Sequence, residues 1–230
     1  MDQSRVVYDE VDLWFDPLCS RTWITYRWLR EVERVRPVRV RPHCAGVAVM
    51  RADALPGGAP EGPDPARGPA RVLAAAGVER GRCTLAPLYE AMARRLHTEG
   101  GGLAGWCERW DGTDPGPTVD DPIRAALMEV GLCPSLAREM AVSTWDDVLR
   151  AEHRRIPGAG EGPGAAAVTD VPVLSVNGHV GRYGPVLSAI PADERAGRVW
   201  DGFRAIASEE LIVEVRQVTW GGEPAPDAGP

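Results

Sequence analysis

The sequence predicts an α/β fold in which one sheet is split by a long helical block, and three observations predict it. A strand–helix–strand run occupies residues 11–43. Apolar residues then recur at helical spacing through most of residues 47–167. A strand–turn–strand–helix run follows after residue 168.

Residues 11–15, VDLWF, are a short apolar run of strand formers, broken by Asp16-Pro17. Ile24, Trp28, Val32 and Val35 then recur at spacings of four, four and three, which is one face of a helix ended by Pro37. Residues 38–43, VRVRPH, alternate as a second strand. Strand, helix and strand with short links predict a right-handed βαβ unit with parallel strands. The Gly- and Pro-rich stretch from residue 53 to 70 predicts a loop. Leu85, Leu88, Tyr89, Met92 and Leu96 form the stripe of a helix with Thr84 as its expected N-cap. After a second loop, Asp121-Pro122 opens a helix through Ile123, Leu127 and Val130 that Gly131 closes, and Thr144 and Asp147 have capping-box spacing before another. Residues 157–167 predict a third flexible stretch. Residues 171–176, VPVLSV, precede Asn177-Gly178 and HVGRY, a hairpin signal because both turn positions require positive φ. Gly184-Pro185 is expected to start a helical region with Ala196, Val199, Phe203 and Ile206 inward. Residues 211–218, LIVEVRQV, are expected as a last edge strand. A βαβ unit and a ββα unit flanking a helical insertion are the parts of a thioredoxin-like fold. The expected organisation is a first half at 10–46, an insertion at 47–167, a second half at 168–219 and a disordered tail at 220–230.

All 26 basic residues are arginine, so Schiff-base chemistry and a P-loop lysine are excluded. The net charge of −7 argues against a nucleic-acid binder. No apolar run approaches the roughly 20 residues that span a bilayer. The opening MDQSRVVYDEVDLWF has no secretory pattern, so the expected compartment is the cytoplasm and the cysteines at 19, 44, 83, 107 and 133 are expected to be reduced. Without C-x-x-C or H-x-x-x-H spacing, no metal site is expected.

The segment FDPLCSRTWITYRWLREVERVRPVRVRPH resembles the active-site region of the DsbA-like thioredoxin superfamily, in particular its cytoplasmic actinobacterial branch of mycothiol-dependent nitroreductases, also described as mycoredoxin-like. The resemblance continues through LAPLYEAMARRLHTEG, VPVLSVNGHVGRYGPVLSAIP and GRVWDGF, and covers most of the chain from about 10 to 215. Relatives place C-P-x-C at the start of the first helix; here the tetrad is Cys19-Ser20-Arg21-Thr22. The first cysteine is kept and the resolving thiol is a hydroxyl, which does not attack a mixed disulfide near neutral pH.

Cys19 is the candidate nucleophile, and its place at a helix N-terminus predicts a depressed pKa. Thr22 is a hydrogen-bond donor one turn on, and Arg21 can add positive charge or bind an anionic group. The resemblance makes Val171-Pro172 the cis-proline loop facing Cys19 and puts a histidine at His97, either as general acid/base or as a helix C-cap; His43 and His153 are weaker candidates. Trp14, Trp23 and Trp28 are expected to pack in the core, with Trp23 also a candidate aromatic wall for substrate. The other four cysteines are expected to be partly buried thiols.

Three functions follow. One is a cis–trans isomerase that adds Cys19 reversibly to a conjugated biosynthetic intermediate, free or carrier-bound, and needs no cofactor. The second is a monothiol oxidoreductase or nitroreductase whose mixed disulfide is resolved by mycothiol. The third is a non-catalytic binding module. The expected partners are a small-molecule or acyl-carrier-bound substrate, with room for a homodimer and with no nucleic acid or membrane.

Overall fold

The computed structural model describes residues 6–55, 64–98, 122–159, 169–213 and 215. The strands are β1 (Asp9–Phe15), β2 (Val38–Cys44), β3 (Val173–Val176) and β4 (Arg182–Tyr183). The helices are α1 (Ser20–Val35), α2 (Val47–Asp53), α3 (Gly68–Arg80), α4 (Leu85–His97), α5 (Pro122–Glu129), α6 (Trp145–His153) and α7 (Asp193–Ala207), with short 3-10 turns at Pro65–Arg67, Arg82–Thr84 and Pro134–Ala141.

The sheet order is β2-β1-β3-β4. β1 runs parallel to β2, with Val11 beside Val40, and antiparallel to β3, with Val11 beside Val176. β3 pairs antiparallel with β4 through the turn at Asn177 and Gly178, where φ is 52° and 78°. This is a thioredoxin-like sheet, with α2 to α6 inserted between its second and third strands.

β1 has both faces covered and its Val11, Leu13 and Phe15 fully buried, as a central strand requires. α1 packs on α7 through Trp28, which contacts Trp200 and Phe203 and donates Nε1–H to the Ala196 carbonyl (3.2 Å). Emptying that site with Trp28→Ala costs about 3–5 kcal/mol by the usual behaviour of buried aromatics. Inside the insertion, Arg71 on α3 makes a buried bidentate pair with Asp146 on α6 (2.7 and 2.9 Å) and also donates to Met140 O (3.0 Å). Gly46 joins β2 to α2 at φ +62°, and a Cβ there would lie 2.8 Å from Leu149 of α6. Backbone handedness and close approach both require glycine at this joint.

Several local expectations are corrected. The predicted loop ends earlier than residue 70, since Gly68 and Pro69 form the first turn of α3, where proline loses no hydrogen bond. Neither Thr84 nor Thr144 caps through its side chain: both have helical φ and ψ, and Thr84 Oγ1 instead donates back to Gly81 O (2.8 Å). Gly184-Pro185 starts no helix; it is a cis bond, and α7 begins at Asp193. Residues 211–213 are not strand, because β4 is only two residues long and Arg182 spends its guanidinium on the carbonyls of Ala207, Glu209 and Ile212. The tail at 220–230 and most of the three predicted loops lie outside the described residues.

A candidate single-cysteine active site

Cys19 is the N-cap of α1, held there by a turn in which its N–H donates to Asp16 O (3.1 Å). Asp16 lies at the end of β1, 4% exposed, and organises the loop. One carboxylate oxygen accepts from Leu18 N–H and the other from Val47 N–H, both at 2.8 Å. The first bond is the local Asx pattern that favours Asp in turns, and the second ties the cysteine loop to the start of α2. Burial raises the Asp16 pKa, against those two N–H donors and the more distant Arg51.

Opposite Cys19, the Val171–Pro172 bond is cis, and the Val171 carbonyl accepts from the Cys19 thiol (S···O 3.6 Å). The thiol is half-buried. Burial pushes its pKa up, the Thr22 hydroxyl and the Thr22 and Arg21 backbone N–H groups pull it down, and the neighbouring Asp16 pushes it up again; the net direction is upward. The expectation of a depressed pKa is therefore corrected: desolvation outweighs the helix N-terminus. Thr22 Oγ1 is fully buried and has no partner at hydrogen-bonding geometry. It is an idle donor beside the sulfur, placed to be used when the sulfur carries charge.

Cys19 opens into a cleft of about 580 Å³ between the start of α1, one face of α2 and the loop before β3. Val47, Ala48, Ala52 and Leu55 give the cleft an apolar side, while Arg21, Arg51, Arg67, Asp64 and Asp170 lie around it. Arg21 donates to the Tyr183 hydroxyl (3.1 Å).

The remaining candidates are placed elsewhere. His97, at the end of α4, donates Nε2–H to Pro17 O (2.9 Å), and burial lowers its pKa. It is not among the residues that line the cleft, and its ring clips the loop that carries Cys19. Trp23 is buried on the core side of α1, packs against Tyr26 and Tyr89 and donates Nε1–H to Thr98 Oγ1 (3.3 Å); it is not a cleft wall. Pro172 is buried and its carbonyl accepts from Gly184 N–H (2.8 Å). His43 lies under Trp14 in a charged network away from the cleft. Cys44 is buried, its thiol directed to Ala70 O (3.9 Å), whereas Cys83 and Cys133 are exposed, contrary to expectation, and Cys107 lies outside the described residues. Sequence reasoning missed Asp16, whose signal was a polar residue just before the cysteine turn. It also missed Arg51, which only the placement of α2 brings to the site.

The structure is similar to that of oxidoreductase DsbA from Xylella fastidiosa, with a TM-score of 0.45, 16% identity and coverage of 86% of this chain and 85% of that one. It is likewise similar to the cytosolic disulfide reductase DsbM from Pseudomonas aeruginosa with GSH, with a TM-score of 0.45, 16% identity and coverage of 85% of this chain and 99% of that one. The family model for Rv2466c-like proteins, described as mycothiol-dependent nitroreductase Rv2466c, matches residues 18–217. With its thioredoxin-like sheet, a cysteine at the head of α1 and that match over most of its length, the chain belongs to the Rv2466c-like family of thiol-dependent oxidoreductases.

Proposed function

We propose that, within this family, the chain has become a cysteine-dependent cis–trans isomerase acting on an alkene conjugated to a carbonyl, a small molecule or an acyl chain on a carrier. The observation that carries this reading is Thr22: a buried hydroxyl with no partner stands one turn from Cys19, where a resolving thiol would stand. Such a pair cannot complete dithiol exchange, but it suits a sulfur that adds and leaves. The Cys19 sulfur bonds to the β-carbon of the alkene while the thiol proton passes to the carbonyl oxygen. The former double bond, now single, rotates. Expulsion of the sulfur re-forms the double bond, and the proton returns to sulfur. No electrons are gained or lost. The Thr22 hydroxyl steadies negative charge on sulfur in both crossings, Val171 O holds the resting thiol, and Asp16 and His97 fix the loop.

The family match supports a second reading, with mycothiol as co-substrate. Asp64 and Asp170 line the same cleft as Cys19, and their carboxylates can accept from the hydroxyl groups of such a thiol. In that reading mycothiol supplies the external thiol, and the chain's own part is to present Cys19 and orient the incoming sulfur.

The separating experiment follows a Z-configured enone by proton NMR with the purified protein in thiol-free buffer. Catalytic appearance of the E isomer, lost by about three orders of magnitude or more in Cys19→Ser, is the expected result; losses of that size follow removal of a nucleophile. Turnover that requires stoichiometric mycothiol would replace the isomerase with the oxidoreductase.

A further inference from the structure

Arg51 and Arg21 lie on the cleft, and neither reading of Cys19 uses them. The face of α2 turned to the cleft presents Val47, Ala48, Ala52 and Leu55 as an apolar track, and Arg51 lies on the same face. Arg51 reaches across to the other wall, where it pairs with Asp170 (2.5 Å) and bonds Thr169 O (3.3 Å), immediately before the Val171 that holds the thiol. Both partners of that pair are more than half exposed, at 62% and 56%. Exposed pairs of this kind contribute little and exchange readily. Arg21 lies at the head of α1, beside Cys19, on the same cleft. Arg67 is different, since it is 13% exposed and committed to Asp64 and Asp146. In a chain of net charge −7, the space around the nucleophile is thus edged by three arginines and three aspartates, Asp16, Asp64 and Asp170, of which Asp16 is buried and turned to the Leu18 and Val47 N–H groups.

The geometry points to an anion-binding subsite at Arg51, assisted by Arg21, that receives a carboxylate or phosphate borne by an apolar unsaturated substrate. The guanidinium of Arg51 exchanges the exposed Asp170 carboxylate for the substrate's anion, a planar bidentate match. The apolar chain lies along Val47, Ala48 and Leu55, which brings its reactive carbon to Cys19. Insofar as it names a substrate class, the inference rests on the isomerase reading, and it adds a chemical constraint. An alkene that accepts sulfur must be conjugated to an uncharged carbonyl, so the anion recognised here is a separate group on the same molecule.

The test measures binding without turnover. Cys19 is alkylated by iodoacetamide and its labelling followed by peptide mass spectrometry, with octanoate, octyl phosphate or neutral octanamide as protectants. The expected result is protection by an anionic probe at a concentration at least tenfold below that needed with octanamide. The better of octanoate and octyl phosphate identifies the anion as carboxylate or phosphate. Arg51→Gln should abolish the advantage, while Arg51→Lys keeps part of it; circular dichroism confirms that these surface variants fold. Equal protection by octanamide, no protection by any anion, or an undiminished advantage in Arg51→Gln would each overturn the subsite. Anion-selective protection without enone isomerisation would leave the subsite standing and remove the isomerase. Isomerisation without anion selectivity would do the reverse.

Discussion

Thr22 decides the chemistry by what it lacks and by what it offers. It cannot resolve a disulfide, and its hydroxyl is a donor without an acceptor until Cys19 becomes negative. A hydrogen bond to a charged group is worth about 1.5–3 kcal/mol, about one pKa unit or more. Thr22→Val should therefore move the pH midpoint of Cys19 alkylation up by about one pH unit, whereas Thr22→Ser leaves it close to wild type. An unmoved midpoint in Thr22→Val would show that the hydroxyl does not serve the sulfur. At this scale the sequence was informative about identity and poor about state. Cys19 and Val171 were legible through the family resemblance; the residues alone showed a cysteine at a helix start and a proline opening a strand. The direction of the thiol's pKa was not legible, because it depends on burial and on Asp16, and the helix N-terminus visible in the sequence is the weaker influence.

The first strand carries a second device on the element scale. His43 of β2 stacks on Trp14 of β1, with ring centroids 4.7 Å apart, and bridges two carboxylates: Nε2 to Asp12 of β1 (2.8 Å) and Nδ1 to Glu152 of α6 (3.0 Å). Arg82 also binds Glu152, and Arg41 of β2 binds Asp12 (2.8 Å). Burial lowers the His43 pKa, Arg82 opposes its charge, and the two carboxylates outweigh both, so the folded value is raised. Although burial opposes it, Glu152 is held down at about 2 by His43 and Arg82, and Asp12 is lowered by His43 and Arg41. A raised histidine pKa stabilises the fold fully below the unfolded value of about 6.5, and that contribution disappears as pH rises through the folded value. The lowered carboxylates act in the opposite sense: their contribution is present above about 4 and is lost in acid. Urea unfolding of wild type and His43→Gln should therefore differ most between about pH 5 and about pH 6.5, with the gap narrowing at higher pH. A gap that does not change with pH would contradict the charged bridge. Elements with a local cause were legible, such as the hairpin at Asn177 and Gly178. The supposed caps at Thr84 and Thr144 and the described start of the expected edge strand, 211–213, were not, since each depended on a competing partner: Gly81 O for Thr84, Asp147 with Arg150 beside Thr144, and Arg182 for the carbonyls around residue 210.

The whole molecule joins its thioredoxin-like sheet to the helical insertion at the nucleophile. Asp16 at the end of β1 binds the N–H of Val47 at the start of α2, so the loop that presents Cys19 and the helix that walls its cleft are fixed by one carboxylate. That junction places Arg51 beside a cysteine 32 positions away, which no periodicity in the chain announces. One working thiol stands there, with no resolving cysteine beside it among the described residues. Intact-mass spectrometry after treatment with oxidised glutathione tests it most directly. Wild type should retain one glutathionyl group on Cys19, whereas Thr22→Cys should shed it and close an internal disulfide. An internal disulfide from Cys19 in the wild-type protein, with no glutathionyl group retained, would contradict it.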